Sequence, residues 1–83
     1  MTYRVILSLE AVDDVMRITM ASDAKAAVVS ASKNIQEALQ TEPAEAGQHL
    51  SEGLYFIDRE PLRAFFTIDT EETTVEIVNV RQI

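Results

Sequence analysis

The stretch Leu54–Val80, LYFIDREPLRAFFTIDTEETTVEIVNV, decides the fold. It contains three runs rich in aromatic and β-branched residues, Leu54–Ile57, Leu62–Ile68 and Thr73–Val80. The residues between them, Asp58–Pro61 and Asp69–Glu72, are of the kind that make turns. This spacing predicts a β-meander, three antiparallel strands joined by hairpins. In the middle run Leu62, Ala64, Phe66 and Ile68 share one face, and Arg63, Phe65 and Thr67 share the other, because successive strand side chains point to opposite sides. The first face needs a covering layer. The second sets an aromatic ring beside a cation on a half-exposed concave surface. In the last run Val75 and Ile77 alternate, and then Val78 and Val80 take over the apolar positions. That change of phase predicts a bulge, or a strand buried on both faces towards its end.

The preceding residues supply the covering layer. Thr2–Ser8 alternates around Tyr3, Val5 and Leu7 and reads as a first strand, with Ile6 making its second face partly apolar. Ser8 stands where a helix N-cap belongs, and Glu10 falls in the first turn, where the helix dipole favours an acid. Val12, Val15, Met16 and Thr19 make a helical stripe, with Asp13, Asp14 and Arg17 off it. This helix is expected to fade over Met20–Asp23, and Ser22 or Asp23 to cap the next. Asp23–Gln40 is the longest predicted helix, with Ala24, Ala27, Val28, Ala31, Ile35, Ala38 and Leu39 on its inner face. Its alanines favour helix and allow close approach of another element. Pro43 ends it, and Thr41–Gly53 reads as a loop, long for so small a domain and therefore either functional or packed down by Leu50. The expected fold class is α+β, in the order β-α-α-β-β-β, with a helical hairpin packed on a small antiparallel sheet.

Eighty-three residues make one expected domain, 1–83. A chain of this size buries roughly 60% of its unfolded surface, so its stability margin is modest. It has no cysteine, which excludes a disulfide scaffold and a thiolate metal site. No apolar run approaches the ~20 residues of a membrane span, and MTYRVILSLE lacks the features of a signal peptide. The expectation is a cytoplasmic protein without membrane contact. Seven basic residues face fourteen acidic ones, a net charge of −7. A protein that grips a nucleic acid backbone offers a basic face, and here the few arginines would have to collect in one place. No glycine-rich phosphate loop, HExxH or GxSxG occurs, and no cofactor is expected.

Several residues have both a chemical and a structural reading. Arg63 is placed either to anchor a phosphate or a partner's carboxylate, or to pair with Glu76 or Asp58 across the sheet. Arg59 lies in the first turn beside Glu60, open to a partner or to solvent. Tyr55 offers a phenol that could donate a proton, and its place in an apolar strand favours core packing with the hydroxyl at the edge. His49, the only histidine, sits in the loop without a nucleophile near it in sequence. Asp69, Glu71 and Glu72 lack the glycine and the ligand alternation of a calcium loop and read as a solvated hairpin.

The chain resembles the RelE/ParE toxin superfamily of bacterial toxin–antitoxin systems, the plasmid-stabilisation proteins. The resemblance rests on Tyr3–Ala11, YRVILSLEA, with Leu9 where a proline is common. It continues through Leu39, Pro43, Gly47, Leu50 and Gly53-Leu54, then RAFFTID (Arg63–Asp69), and lastly Val75 with Val78–Arg81. It spans nearly the whole chain. It implies a protein that a partner antitoxin wraps and neutralises with a helix or strand. In the ribonuclease branch, cations hold phosphates and a tyrosine, histidine or lysine moves protons. Arg63 matches the central-strand arginine, and Arg81 falls near the C-terminal basic position; these are the candidate catalytic residues. Phe66 stands where an aromatic follows the strand arginine, and it has no hydroxyl. The second strand reads LYFID where nuclease members are often basic. No histidine–arginine pair or tyrosine follows as far as Ile83.

Three readings result. The first is a toxin-like component acting mainly by protein binding, with Tyr55, Arg59, Phe65 and the helix faces as its surface and an antitoxin as partner. The gyrase-inhibiting branch of the family, which lacks the nuclease residues, is compatible with it. The second is a residual ribosome-dependent messenger ribonuclease using Arg63 and Arg81. The third is a non-toxic interaction protein of the same fold, a homo-oligomer through an uncovered sheet edge.

Overall fold

The computed structural model describes residues 2–83. In chain order the elements are β1 (Arg4–Leu7), α1 (Leu9–Ala21), α2 (Lys25–Ala38), α3 (Pro43–Ala46), β2 (Gln48–Ser51), β3 (Leu54–Arg59), β4 (Leu62–Asp69) and β5 (Thr74–Gln82). The strands form one sheet in the order β1-β5-β4-β3-β2. The meander β3-β4-β5 is antiparallel, as its hairpin turns dictate. β1 runs parallel to β5, since the α1–α2 crossover returns the chain to the far side of the meander. The architecture is the expected α+β layering of a helical hairpin on a sheet, and the sheet is mixed.

Both helices cover one face, α1 over β5 and α2 over β3 and β4. The core between the layers holds Ala11, Val28, Ala31, Ile35 and Leu39 from the helices and Ile57, Leu62, Ala64, Phe66, Val75, Ile77 and Val80 from the strands. The α2 stripe is the predicted one from Val28 onward, whereas Ala24 and Ala27, expected on it, are exposed where the helix begins beyond the edge of the core. Ser8 caps α1 as expected, its Oγ accepting from the Ala11 N–H at 3.0 Å. α2 instead begins at Ala24 without a side-chain cap. Ser22 accepts from the Ala24 N–H, and Lys25 Nζ reaches back to the Ser22 carbonyl at 2.8 Å, closing the end of α1.

Three expectations are corrected. Thr41–Gly53 is not a structureless loop: Pro43, at N1, starts the one-turn helix α3, and Gln48–Ser51 adds an edge strand to β3. Gly47 permits this, because a Cβ there would lie 2.6 Å from the Phe66 ring and 2.7 Å from the Phe56 carbonyl oxygen. Leu50 does not hold the segment down, being half exposed on that edge strand. The third correction concerns α1. Its inner face carries Ala11, Asp14, Val15 and Ile18, whereas Leu9, Val12, Met16 and Met20 are exposed on an outer ridge at helical spacing.

The reason for the α1 rotation lies in β5. The register slips between Phe65 and Phe66, which pair with Asn79 and Ile77, so Val78 is the extra residue of a bulge. A bulge leaves ladder groups unpaired; two side chains of the α1 N-terminal region meet backbone groups there, and a third holds the Asn79 side chain. Ser8 Oγ donates to the Val78 carbonyl at 2.9 Å, Glu10 Oε2 accepts from the Asn79 side-chain Nδ2 at 3.0 Å, and Asp14 Oδ2 accepts from the Val80 backbone N–H at 2.9 Å. Asp14 is only 9% exposed, and Arg17 donates to its other oxygen. A buried carboxylate is tolerated where it is hydrogen-bonded and paired in this way.

Candidate functional site: the open face of the sheet

The face turned away from the helices is divided in two by residue type. At one end, register aligns Phe56, Phe65 and Asn79 in one row across β3, β4 and β5, and Asp58, Arg63 and Arg81 in the next. The Arg63 guanidinium lies over the Phe56 ring, 4.6 Å from its centroid, and that of Arg81 over Phe65 at 5.3 Å. The two rings are 6.4 Å apart. Guanidinium groups favour such positions because the ring face is electron-rich. At the other end the surface is acidic, with Arg4, Asp69, Glu72 and Glu76 around a shallow depression. Asp69 Oδ1 accepts from the Glu71 and Glu72 N–H groups at 3.0 Å each, so this carboxylate stabilises its own turn.

Arg63 is engaged by Asp58, its cross-strand neighbour, and not by Glu76. Nε donates to Oδ1 at 2.6 Å and Nη2 to Oδ2 at 2.9 Å, a bidentate fork. These hydrogen bonds, reinforced by opposite charge, hold the Asp58 carboxyl below its usual range and the Arg63 guanidinium above its own. The Asp58 shift is a depression, so its contribution is complete above the unfolded-state carboxylate pKa and is lost as pH falls through the lower folded value. The pair is largely solvated, and its worth to stability is small.

Of the residues singled out from sequence, Arg63, Phe65 and Arg81 come together on this face. Phe56 completes the set; strand alternation one position from Tyr55 would have found it, had the LYFID segment been read by face. Tyr55 lies on the opposite face, stacked on Phe66 (5.6 Å, 18°) with the His49 ring edge-on at 5.3 Å. Arg59 is committed to the hairpin, its Nε donating to Asn34 of α2 at 2.9 Å and Nη1 to the Asp58 carbonyl at 2.8 Å. The register sends Tyr3 and His49 to the helix side as well, and both lysines belong to α2. Among the described residues, no tyrosine, histidine or lysine faces the two arginines.

No protein-family model matches the chain, and no curated protein matches it in sequence. An α+β layer pair with a parallel β1–β5 pairing and a three-stranded antiparallel meander defines a compact class, and solved structures of that class do match. A chain of the toxin–antitoxin complex RelBE2 from Mycobacterium tuberculosis superposes with a TM-score of 0.81 at 24% identity, over 99% of this chain and 92% of that one. A chain of the chromosomal ParDE system of P. aeruginosa gives 0.69 at 17%, over 99% and 97%. A free E. coli RelE toxin variant gives 0.72 at 13%, over 99% and 84%. The fold is that of the RelE/ParE toxins. None of the helices among the described residues is long and apolar enough to cross a membrane.

Proposed function

We propose that this protein is the toxin-like component of a bacterial toxin–antitoxin pair and acts in the cytoplasm by binding other proteins, not by cutting RNA. The observation that carries this reading is the state of Arg63. Its guanidinium is occupied by Asp58 on one side and stacked on Phe56 on the other, and among the described residues no proton-transfer side chain of the tyrosine, histidine or lysine type faces it. Phosphoryl-transfer chemistry needs free cations and an acid–base group at one centre. A nucleic acid strand laid along this face would also cross the acidic end at Asp69, Glu72 and Glu76, where like charge repels it.

Two surfaces suit protein partners. The aromatic–guanidinium rows resemble the desolvated centres of protein interfaces, where aromatic residues and arginine concentrate. The ridge Leu9, Val12, Met16 and Met20 on α1 is apolar and exposed, and such a patch is covered in a working complex. An antitoxin is the expected occupant: two of the structures this fold resembles are toxin–antitoxin assemblies by name.

A cell-free translation mixture tests the reading. Added protein is expected to leave messenger RNA at full length, and Arg63→Ala is expected to behave identically. Message cut on the ribosome by the wild type and spared by Arg63→Ala or Arg81→Ala would establish the ribonuclease reading instead.

A further inference from the structure

On the helix side of the sheet, remote from the arginines, the segment before β1, the α3 turn, the start of β3 and the end of β4 enclose a cleft of about 520 Å³. Volumes of about 300–1,000 Å³ are typical of ligand sites. Its deeper wall is aromatic and aliphatic: Tyr3, Pro43, Tyr55 and Ile68 are buried or half-buried. Its exposed margin carries Glu42 and Glu45. Among the described residues no lysine or arginine lines the cleft, and neither glutamate has an ion-pair partner. The Tyr55 ring is fixed by its stack on Phe66 and by the His49 edge, so this part of the wall is preorganised.

We infer that this cleft receives a lysine or arginine side chain presented by a partner polypeptide. The inference rests on the reading that the protein works bound to a partner, and it adds the chemistry of one contact. A long basic side chain matches the cleft in both respects: its methylene stem lies on apolar walls while its charged head meets carboxylates at the mouth, and aromatic rings attract the cation. A neutral apolar side chain would use the walls but make nothing of the two exposed carboxylates, and an acidic one would be repelled. The net charge of −7 favours the same choice, because long-range attraction steers a basic segment to this surface. The volume accommodates the side chain together with its neighbours, which distinguishes a peptide from a bare cation.

The test is an NMR titration of the whole ¹⁵N-labelled chain with a blocked Gly-Arg-Gly peptide, its citrulline counterpart and spermidine. Saturable shifts are expected at the amides of Tyr3, Tyr55 and α3, with the citrulline peptide weaker by about tenfold, the effect of ~1.4 kcal/mol. The surface variant Glu42→Gln/Glu45→Gln is expected to lose the response, and Arg81→Ala to keep it. Three results would overturn the inference: no saturable shift, equal binding of the citrulline peptide, or shifts that survive in the double glutamine variant. Spermidine binding as tightly as the peptide would also overturn it, assigning the cleft to a small cation. None of these readouts depends on toxicity or message cleavage, so the cleft assignment can fail while the binding-toxin reading stands, and the reverse.

Discussion

Phe66→Ala is expected to lose about 3–5 kcal/mol of stability, the range for truncating a buried phenylalanine. At roughly 0.05–0.15 kcal/mol per residue, a chain this long has only several kcal/mol in total, so the variant should be largely unfolded at 37 °C. Phe66 is fully buried on the central strand. It stacks on Tyr55 and occupies the space that a side chain on Gly47 would take. Its removal therefore opens a cavity where β3, β4 and the α3–β2 segment meet, and the missing Cβ of Gly47 leaves nothing to fill it. Phe65→Ala, one residue away, is the control. Phe65 lies on the open face with Arg81 over it, and its loss should cost about 1 kcal/mol, the scale of a partly exposed cation–π contact. Urea unfolding of both variants measures the difference; equal midpoints would mean the two faces of β4 have been assigned wrongly.

Asp14→Ala should cost about 2–3 kcal/mol, because the Val80 N–H would stay buried without an acceptor. The larger consequence is positional. Ser8, Glu10 and Asp14 hold three consecutive residues of β5, Val78, Asn79 and Val80, and Arg81 follows directly. Removing the Asp14 carboxylate frees the bulge, and with it the register that sets Arg81 over Phe65. Amide hydrogen exchange should show the Val80 N–H protected in the wild type and fast in the variant, while Ile77, before the bulge, stays slow. Asp14→Asn is expected to fall between the two, since an amide oxygen still accepts from Val80 but its NH₂ faces Arg17. A Val80 amide equally protected in Asp14→Ala would show that the side chain does not satisfy it.

Both of these sites mark the boundary of what sequence reveals here. The meander, its two hairpins and the inner face of α2 were legible, because strong alternation at Leu62–Ile68 and a clean helical stripe at Val28–Leu39 each admit one buried face. The bulge was legible as a change of phase after Ile77. The inner face of α1 was not. Hydrophobicity alone selects Val12 and Met16, but the buried face is the one bearing Asp14, whose burial makes sense only once the unpaired Val80 N–H is known. β2 is hidden for a related reason: a four-residue edge strand with every residue on the exposed side contributes nothing to the core and leaves no apolar pattern. The candidate site was half legible. Arg63 and Phe65 fall side by side on one strand face, but the Asp58 fork was one of two pairings the sequence allowed. Tyr55 packs on Phe66 against the core, as its apolar strand implies, so it does not share the binding surface with Phe65.

The most direct test of a toxin that acts by binding is growth after induced expression in a bacterial host without its partner, comparing wild type with Arg63→Ala, both verified as folded. Arrest by both proteins is the predicted result, since Arg63 is tied to Asp58 and the proposed reading gives it no chemical step. Relief of arrest by Arg63→Ala would contradict it and return the arginine to a working centre, and the absence of arrest by the folded wild type would remove toxicity altogether and leave an interaction protein of the RelE/ParE fold.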